Sequence, residues 1–358
     1  MVSRLPPPIG RGLALSKRRV LILAEGHSAD PHYGKTGLGV LRYRREQVVA
    51  ILDSERAGQA DDDIPVVGTV EEALFFEPTT ALVGVATEGG RFPPAWRELL
   101  KSAIANGLDI ENGLHEFISE DSELVELAVS HKVELRDLRR PPSGLNVPTG
   151  SNLSHRAKVV LTVGSDCAIG KMTVALELDA EAKRRGVASL FVPTGQTGMA
   201  IAGWGMAIDA VVSDFLAGAV ESLVLEGIAR GGELLWVEGQ GSLTHPAYSG
   251  VTLGLLHGSA PHALVLCHLA GQAVVDGDPR FPMPSLSELI DLYERNTLIA
   301  RRAKVVAIAL NTCNLDDAAA RAAIEAAVAE TGLPTGDPLR FGAAGIANSV
   351  LNGDLVRL

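Results

Sequence analysis

The stretch Gly164-Ser165-Asp166-Cys167-Ala168-Ile169-Gly170-Lys171-Met172-Thr173 decides the fold of the second half of this chain. It follows the apolar run Val159 to Val163 and precedes a segment with helical spacing of apolar residues that extends to Arg185. Glycines in a strand-to-helix loop let backbone N–H groups converge on an anion, and the helix N-terminus and a lysine add positive charge. The stretch therefore predicts a phosphate-binding loop, or P-loop.

Two features distinguish this loop from the commonest P-loop pattern. Five residues separate Gly164 from Gly170, a spacing that resembles the P-loop of dethiobiotin synthetases. Met172 follows Lys171 at the position where a Ser or Thr usually ligates Mg²⁺. The sequence therefore favours phosphate binding over ATP hydrolysis and predicts no metal ligand in the loop.

Apolar runs alternate with helix-like segments along the chain, which is typical of a parallel α/β sheet. Pro and Gly in Arg140 to Gly144 interrupt the alternation. We therefore predict a Rossmann-like N-terminal domain (1–145), followed by a P-loop NTPase-like three-layer αβα domain with a mostly parallel sheet (146–358). The expected strands lie in residues 19–24, 48–53, 65–68, 81–86, 130–138, 159–163, 189–192, 234–237, 263–267 and 305–310.

Composition excludes several classes of function. A net charge of −11 and 4% aromatic residues argue against nucleic-acid binding. The cysteines Cys167, Cys267 and Cys313 lack metal-ligand spacing and indicate a reducing compartment. No apolar stretch is long enough to cross a membrane. We therefore expect a cytoplasmic protein with no metal, no membrane and no nucleic-acid partner.

Polar residues after the strand 234–237 are candidates for catalysis. Glu238 begins the turn Glu238-Gly239-Gln240-Gly241-Ser242, and His245 follows shortly after. Ligands of open α/β sheets bind at the carboxyl ends of strands. Glu238 is a candidate metal ligand or general base, the alternative being a carboxylate that caps a helix. His245 is a candidate proton carrier, the alternative being a structural histidine.

Other candidates come from the remaining strand ends and from the first domain. Gln196 and Thr197 are candidates for contact with a second substrate. Asn311 is a candidate for contact with a purine edge, the alternative being an ordinary turn asparagine. Lys35 and Arg42 belong to a basic cluster that binds anions or forms an exposed charged turn. Gly34-Lys35-Thr36 is not a second P-loop, because no glycine lies at the required distance upstream.

These motifs together resemble the two-domain family that includes bacterial D-glutamate N-acetyltransferases. The resemblance covers residues 19–352 and depends on four segments, with Asp166 to Thr173 the most specific. It implies acetyl transfer from acetyl-CoA to the amine of an amino acid, D-glutamate above all, by a homodimer or larger homo-oligomer. The four segments are Gly164 to Thr173, Pro193 to Gly198, Glu238 to Ser242, and Gly34 to Gly37 with Arg42-Tyr43.

The resemblance also suggests roles for individual residues. Gly164 to Thr173 would hold the phosphates of coenzyme A, with Lys171 on the pyrophosphate. Glu238 or His245 would deprotonate the amine. Backbone N–H groups from Gly239 to Ser242, including Gln240, would stabilise the oxyanion. The substrate carboxylates would pair with Lys35, Arg42 or Arg280.

Two other functions are compatible with the sequence. One is a Mg-ATP-dependent kinase or carboxylate-amine ligase of the dethiobiotin synthetase type, in which Glu238 and Thr173 share a Mg²⁺ ion. The other is a nucleotide-sensing regulator without turnover, which the Rossmann-like half would support.

Overall fold

The computed structural model describes residues 18–93 and 95–351. Within them the chain forms two compact units, which we call the first unit (18–141 and 195–210) and the second unit (142–194 and 211–351). The segment 195–210 thus packs with the first unit although it follows the phosphate-binding loop in sequence. The division of the chain at residues 145 and 146 stays a prediction.

The first unit contains a sheet of Rossmann type. Its strand order is β3-β4-β2-β1-β5-β6-β7, and every pair is parallel except β3 with β4. The strands are β1 (Val20–Leu23), β2 (Val48–Leu52), β3 (Ala60–Asp61), β4 (Ile64–Val67), β5 (Thr80–Val83), β6 (Asp109–Asn112) and β7 (Leu135–Asp137). The helices before residue 142 are α1 (Lys35–Tyr43), α2 (Val70–Ala73), α3 (Trp96–Ala105) and α4 (Ser122–His131).

The expected strand over 130–138 is partly wrong. Ser130 belongs to α4, and β7 covers only Leu135–Asp137. Asp121 accepts hydrogen bonds from the backbone N–H groups of Glu123 and Leu124 and so caps the start of α4. Lys132 ends the helix in a left-handed conformation (φ +59°), which delays the strand.

The second unit contains a parallel six-stranded sheet among the described residues, with the order β13-β12-β11-β8-β10-β9. Strand β8 lies between β10 and β11. The strands are β8 (Lys158–Gly164), β9 (Ser189–Val192), β10 (Leu234–Val237), β11 (Ala263–Leu269), β12 (Lys304–Asn311) and β13 (Thr335–Gly336). The helices are α5 (Lys171–Arg184), α6 (Gln196–Ala202, in the first unit), α7 (Ser213–Ala229), α8 (Ser249–Ser259), α9 (Leu286–Arg295), α10 (Asp317–Thr331) and α11 (Ala344–Leu351).

The central strands are apolar on both faces because helices cover both sides of a parallel sheet. All four residues of β10 are buried, as are all four of β1. The predicted fold class, a Rossmann-like half followed by a P-loop half, is confirmed. Because neighbouring parallel strands end at one edge, the turns after β8, β10 and β11 converge. In the part of the chain that the structure describes, no helix is both long enough and apolar enough to span a bilayer.

Candidate phosphate-binding site

The loop between β8 and α5 has the backbone of an anion nest. Gly170 has φ +106° and Ala168 has φ +53°, which turns successive peptide units inward. A Cβ atom on Gly164 would lie 2.8 Å from Cδ1 of Ile169. The backbone N–H groups of residues 168–170 have no acceptor among the described residues. Donors left unpaired at a helix N-terminus predict an anion as their partner.

Lys171 is a buried cation held over this loop. The residue is 6% exposed, and Nζ donates a hydrogen bond of 2.5 Å to the carbonyl oxygen of Asp166. Burial lowers the pKa of the Lys171 amine, although Cys167 and nearby acidic groups act in the opposite direction. A bound phosphate would supply the counter-charge that the buried amine needs.

Tyr293 of α9 joins the loop to the turn after β10. Its hydroxyl donates to the carbonyl oxygen of Gly164 at 2.6 Å and accepts from the backbone N–H of Leu243 at 3.2 Å. Burial raises the pKa of this phenol. The hydroxyl of Thr244 donates to the carbonyl oxygen of Ser165 at 2.9 Å. The turn 242–245 is therefore fastened to the phosphate-binding loop at two points.

His268 supports the loop from β11. Its Nδ1 lies 2.8 Å from the hydroxyl oxygen of Ser165, which is fully buried. Burial lowers the pKa of His268. This histidine therefore contacts the loop as a neutral ring.

Glu238 is buried at the end of β10, beside Lys171. Its Oε2 accepts a hydrogen bond of 2.8 Å from the backbone N–H of Thr194, whose hydroxyl donates to the Glu238 carbonyl oxygen. The next residue, Gly239, donates its N–H to Oγ1 of Thr162 at 2.9 Å. That N–H is therefore already used, which removes Gly239 from the predicted oxyanion donors.

Gly239 is also the point of closest backbone approach. A Cβ atom there would lie 1.7 Å from the carbonyl oxygen of Thr162 and 3.2 Å from Cδ of Lys171. Next to it, Nε2 of Gln240 donates to the carbonyl oxygen of Thr194 at 2.5 Å. Only glycine at position 239 lets the turn after β10 lie this close to the backbone of β8.

Asp166, Cys167 and His245 form a cluster at the loop. One carboxylate oxygen, the thiol sulfur and one ring nitrogen all lie within 4.8 Å of one another. Asp166 already accepts hydrogen bonds from the backbone N–H groups of Cys167 and Asp276 and from Nε2 of Gln272. Donor atoms this close are able to share a metal ion, and the absence of a metal stays a prediction.

Asn311, at the end of β12, contacts the same loop. Its Nδ2 donates to the carbonyl oxygen of Ile169 at 3.1 Å, and its Oδ1 accepts from the backbone N–H of Cys313 at 3.1 Å. The amide therefore supports the loop, and its predicted contact with a purine remains a prediction.

The remaining candidates are Gln196, Thr197, Lys35, Arg42 and Arg280. Gln196 and Thr197 begin α6 in the first unit, where Oγ1 of Thr197 lies 2.9 Å from Oγ1 of Thr36. Lys35 and Arg42 are exposed on α1. The Arg280 side chain is 80% exposed and forms an ion pair with Asp278. Roles of these residues in substrate binding stay predictions.

Three further residues shape the site and were not predicted from the sequence: Thr162, Tyr293 and Gln272. Thr162 is a hydroxyl residue within an apolar strand, and Tyr293 is an apolar-face residue of an amphipathic helix, so neither carries a local signal. Gln272 follows β11 by three residues, and the strand-end rule applied there would have found it.

A Rossmann-like unit and a P-loop unit in one chain define a class of two-domain α/β proteins. Within that class, a family model described as "Domain of unknown function (DUF1611_C) P-loop domain" matches residues 146–347. Its N-terminal counterpart, described as a Rossmann-like domain (DUF1611_N), matches residues 53–141. The chain belongs to the DUF1611 family.

Individual relatives extend along most of the chain. A protein of Tritonibacter scottomollicae named D-glutamate N-acetyltransferase is 36% identical over 333 residues, covering 92% of this chain and 97% of the relative. A protein of Pseudoalteromonas sp with the same name is 38% identical over 272 residues, covering 76% and 81%. The crystal structure of a DUF1611 family protein from Anabaena variabilis is 41% identical, with a TM-score of 0.88, covering 94% of this chain and all of that one.

Proposed function

We propose that this protein transfers the acetyl group of acetyl-CoA to the amine of an amino acid, with D-glutamate as the acceptor. The observation that carries the proposal is the pair of relatives named D-glutamate N-acetyltransferase, one of which is 36% identical and covers 92% of this chain. Their names describe those proteins, and the long alignment supports the same chemistry here.

The features of the site support coenzyme A as the ligand whose phosphate the loop binds. Coenzyme A carries a pyrophosphate and a 3′-phosphate, and its acyl transfer needs no metal. The loop offers a buried lysine and unpaired N–H groups, and Met172 stands where a Mg²⁺ ligand usually lies. A loop of this kind is suited to a phosphate that arrives without a metal ion.

In the proposed reaction the neutral amine attacks the thioester carbonyl carbon. The tetrahedral intermediate collapses, the C–S bond breaks, and the coenzyme A thiolate leaves with a proton derived from the amine. Glu238 and His245 are the candidate bases, and both lie beside the phosphate-binding loop. Because the pantetheine arm separates the pyrophosphate from the thioester, only a folded arm brings the thioester back to either residue.

The test is incubation of the purified protein with acetyl-CoA and a panel of D- and L-amino acids, with free thiol as the readout. We expect the highest kcat/KM with D-glutamate. The kinase or ligase function would replace this proposal if no amino acid of the panel caused thiol release and the protein formed ADP from ATP in a Mg²⁺-dependent reaction.

The role of Glu238 is tested by measuring kcat and KM separately for Glu238→Gln. A general base contributes about 10²–10⁴-fold to the rate, so its loss should lower kcat by that amount and leave the KM for acetyl-CoA near its wild-type value. A raised KM with unchanged kcat would instead assign Glu238 to phosphate binding.

A further inference from the structure

His245 is buried beside the phosphate-binding loop with one ring nitrogen unsatisfied. The residue is 2% exposed, and its Nε2 has no hydrogen-bond partner among the described residues. Its position is fixed by the turn 242–245, which Thr244 and Tyr293 fasten to the loop. Buried polar atoms in folded proteins are nearly always paired, so an unpaired one at a binding loop indicates a missing ligand.

The other ring nitrogen determines which proton the histidine carries. Nδ1 accepts a hydrogen bond of 3.1 Å from the backbone N–H of Ala247, so its lone pair is directed at that group. In a neutral imidazole one nitrogen donates and the other accepts, and the proton of His245 is therefore on Nε2. Protonating Nδ1 as well would bring two N–H groups face to face.

This tautomer determines what the site can bind. A metal ion needs a lone pair on the ligating nitrogen, and a general base needs a lone pair to accept a proton. While Nδ1 accepts from the backbone N–H of Ala247, Nε2 carries the proton and has no free lone pair. Nε2 therefore acts as a hydrogen-bond donor. The close trio of Asp166, Cys167 and His245 therefore favours a hydrogen-bond acceptor as the ligand over a metal ion.

None of the described residues acts as the hydrogen-bond acceptor for Nε2 of His245. Oδ2 of Asp276 lies 3.4 Å away without hydrogen-bond geometry, and its side chain is 66% exposed, so water screens its charge. Asp166 already accepts three N–H donors. The neighbouring loop presents Lys171 and unpaired backbone N–H groups, which together select a phosphoryl oxygen.

We propose that His245 is a phosphate-positioning residue whose Nε2–H donates to an oxygen of the phosphoryl group held by the loop. The proposal rests on the proposed function only in identifying that phosphoryl group as part of coenzyme A. It assigns His245 a role at the phosphate, a pantetheine arm away from the thioester, and removes it from the candidate bases.

The experiment compares His245→Ala, His245→Gln and His245→Asn in calorimetric titrations with inorganic pyrophosphate. The side-chain amide of Gln places an N–H near the position of Nε2, whereas Asn reaches only the position of Nδ1. We expect Ala and Asn to weaken pyrophosphate binding by about tenfold or more, and Gln to bind nearly as tightly as wild type. His131→Gln, at the exposed end of α4, is the matched control and should change nothing.

Each outcome supports or overturns the proposal. Equal weakening in Gln and Asn would show that no donor at Nε2 is needed, and the contrast between these two amides remains informative if the Ala variant does not fold. Stoichiometric Zn²⁺ binding that is lost in His245→Ala would replace the phosphate with a metal, and no pyrophosphate binding by wild type would also overturn it. The titration uses no thioester and no amino acid, so failure of the acetyltransferase function leaves it unaffected.

Acetyl-CoA kinetics give a second readout. A positioning residue raises the KM for acetyl-CoA when removed, and the Gln variant restores it. A base would lower kcat in Gln and Ala alike, because neither side chain accepts a proton at neutral pH.

Discussion

Two helix starts in this chain share nearly the same letters and differ in chemistry. Gly34-Lys35-Thr36 begins α1, and Gly170-Lys171-Met172-Thr173 begins α5. Lys35 is exposed, whereas Lys171 is buried over its own loop. The difference indicates that a Gly-Lys pair is suited to binding an anion only when the preceding loop leaves its donors unpaired.

The loop before α1 has used its donors internally. The N–H groups of Gly26 and Ser28 donate to the buried carboxylate of Asp53, whose pKa these bonds lower against the opposing effect of burial. Gly34 donates to the carbonyl oxygen of Asp30 and has φ −81°. Asp53 thus occupies, as an internal anion, the role that a phosphate would take at the second loop.

The largest effect should come from exchanging the two lysines for methionine. Lys171→Met should weaken pyrophosphate binding by about 10- to 100-fold, because a buried charged hydrogen bond contributes about 1.5–3 kcal/mol. Lys35→Met should leave it unchanged. Titration calorimetry measures both affinities, and similar losses in the two variants would show that the two lysines do not differ in anion binding.

Lys171→Met should also stabilise the ligand-free protein. Burial lowers the pKa of Lys171, so the folded state bears the cost of a buried charge at pH values below that lowered pKa. The cost shrinks as the pH rises towards 10.5, the ordinary pKa of a lysine side chain. The gain in Tm should therefore be larger at pH 7 than at pH 10, and a lower Tm at pH 7 would contradict it.

A smaller effect should come from exchanging the two glycines for alanine. Gly34→Ala places a Cβ atom 2.4 Å from the carbonyl oxygen of His27, and should cost about 1–3 kcal/mol of stability without changing phosphate affinity. Gly170→Ala meets no atom closer than 3.8 Å, but its φ of +106° costs about 1–2 kcal/mol. Relaxing that strain should turn the loop donors and weaken pyrophosphate binding.

The matched control is Gly58→Ala. Gly58 also has a positive φ (+85°) and open space around it, and it belongs to the first unit. It should lose similar stability in thermal unfolding with unchanged pyrophosphate affinity. If Gly170→Ala kept full affinity as well, the positive φ would have no part in binding.

The smallest expected effect is a difference between the two units in the pH at which acid destabilises them. Burial lowers the pKa of His155 and His268, and of His262 to about 4, all in the second unit. The unfolded chain takes up these protons first, so stability contributed by the neutral rings is lost as pH falls from about 6.5 towards 4. In the first unit burial also lowers the pKa of His115, so the contrast is one of degree.

The Asp121 carboxylate of the first unit stays ionised over this pH range. The guanidinium of Arg97 lowers the pKa of Asp121 to about 2, so its contribution disappears only below about pH 4. Fluorescence of Trp236, buried in the second unit, should therefore change at a higher pH than that of Trp96 in the first unit. Coincident acid transitions of variants that retain only one of these tryptophans would contradict the prediction.

The sequence predicted the phosphate-binding loop and its neighbouring strands because their signals are local. Leu234–Val237 is continuously apolar, and Gly164 at the end of β8 is followed at fixed spacing by Gly170 and Lys171. Strand β6 was missed, since Asp109-Ile110-Glu111-Asn112 carries polar residues. Its Glu111 is tolerated because Arg18, 93 residues away, pairs with it in the core.

Other contacts had no local signal at all. Nothing within Gln196–Ala202 indicates that α6 packs with the first unit, where Arg18 donates to the carbonyl oxygen of Ala200. The Tyr293 contact to Gly164 joins residues 129 positions apart. Long-range pairing of this kind depends on the assembled sheet, which no short motif encodes.

The placement of residues 195–210 in the first unit limits how the gene for such a protein can recombine. The chain passes from one unit to the other after residues 141, 194 and 210, so the second unit is not a continuous stretch. A gene fragment that encodes residues 146–358 would carry α6 away from the Arg18 and Thr36 partners it has here. Recombination therefore cannot exchange either half as a cassette without breaking these contacts, and the two halves are expected to evolve as a pair.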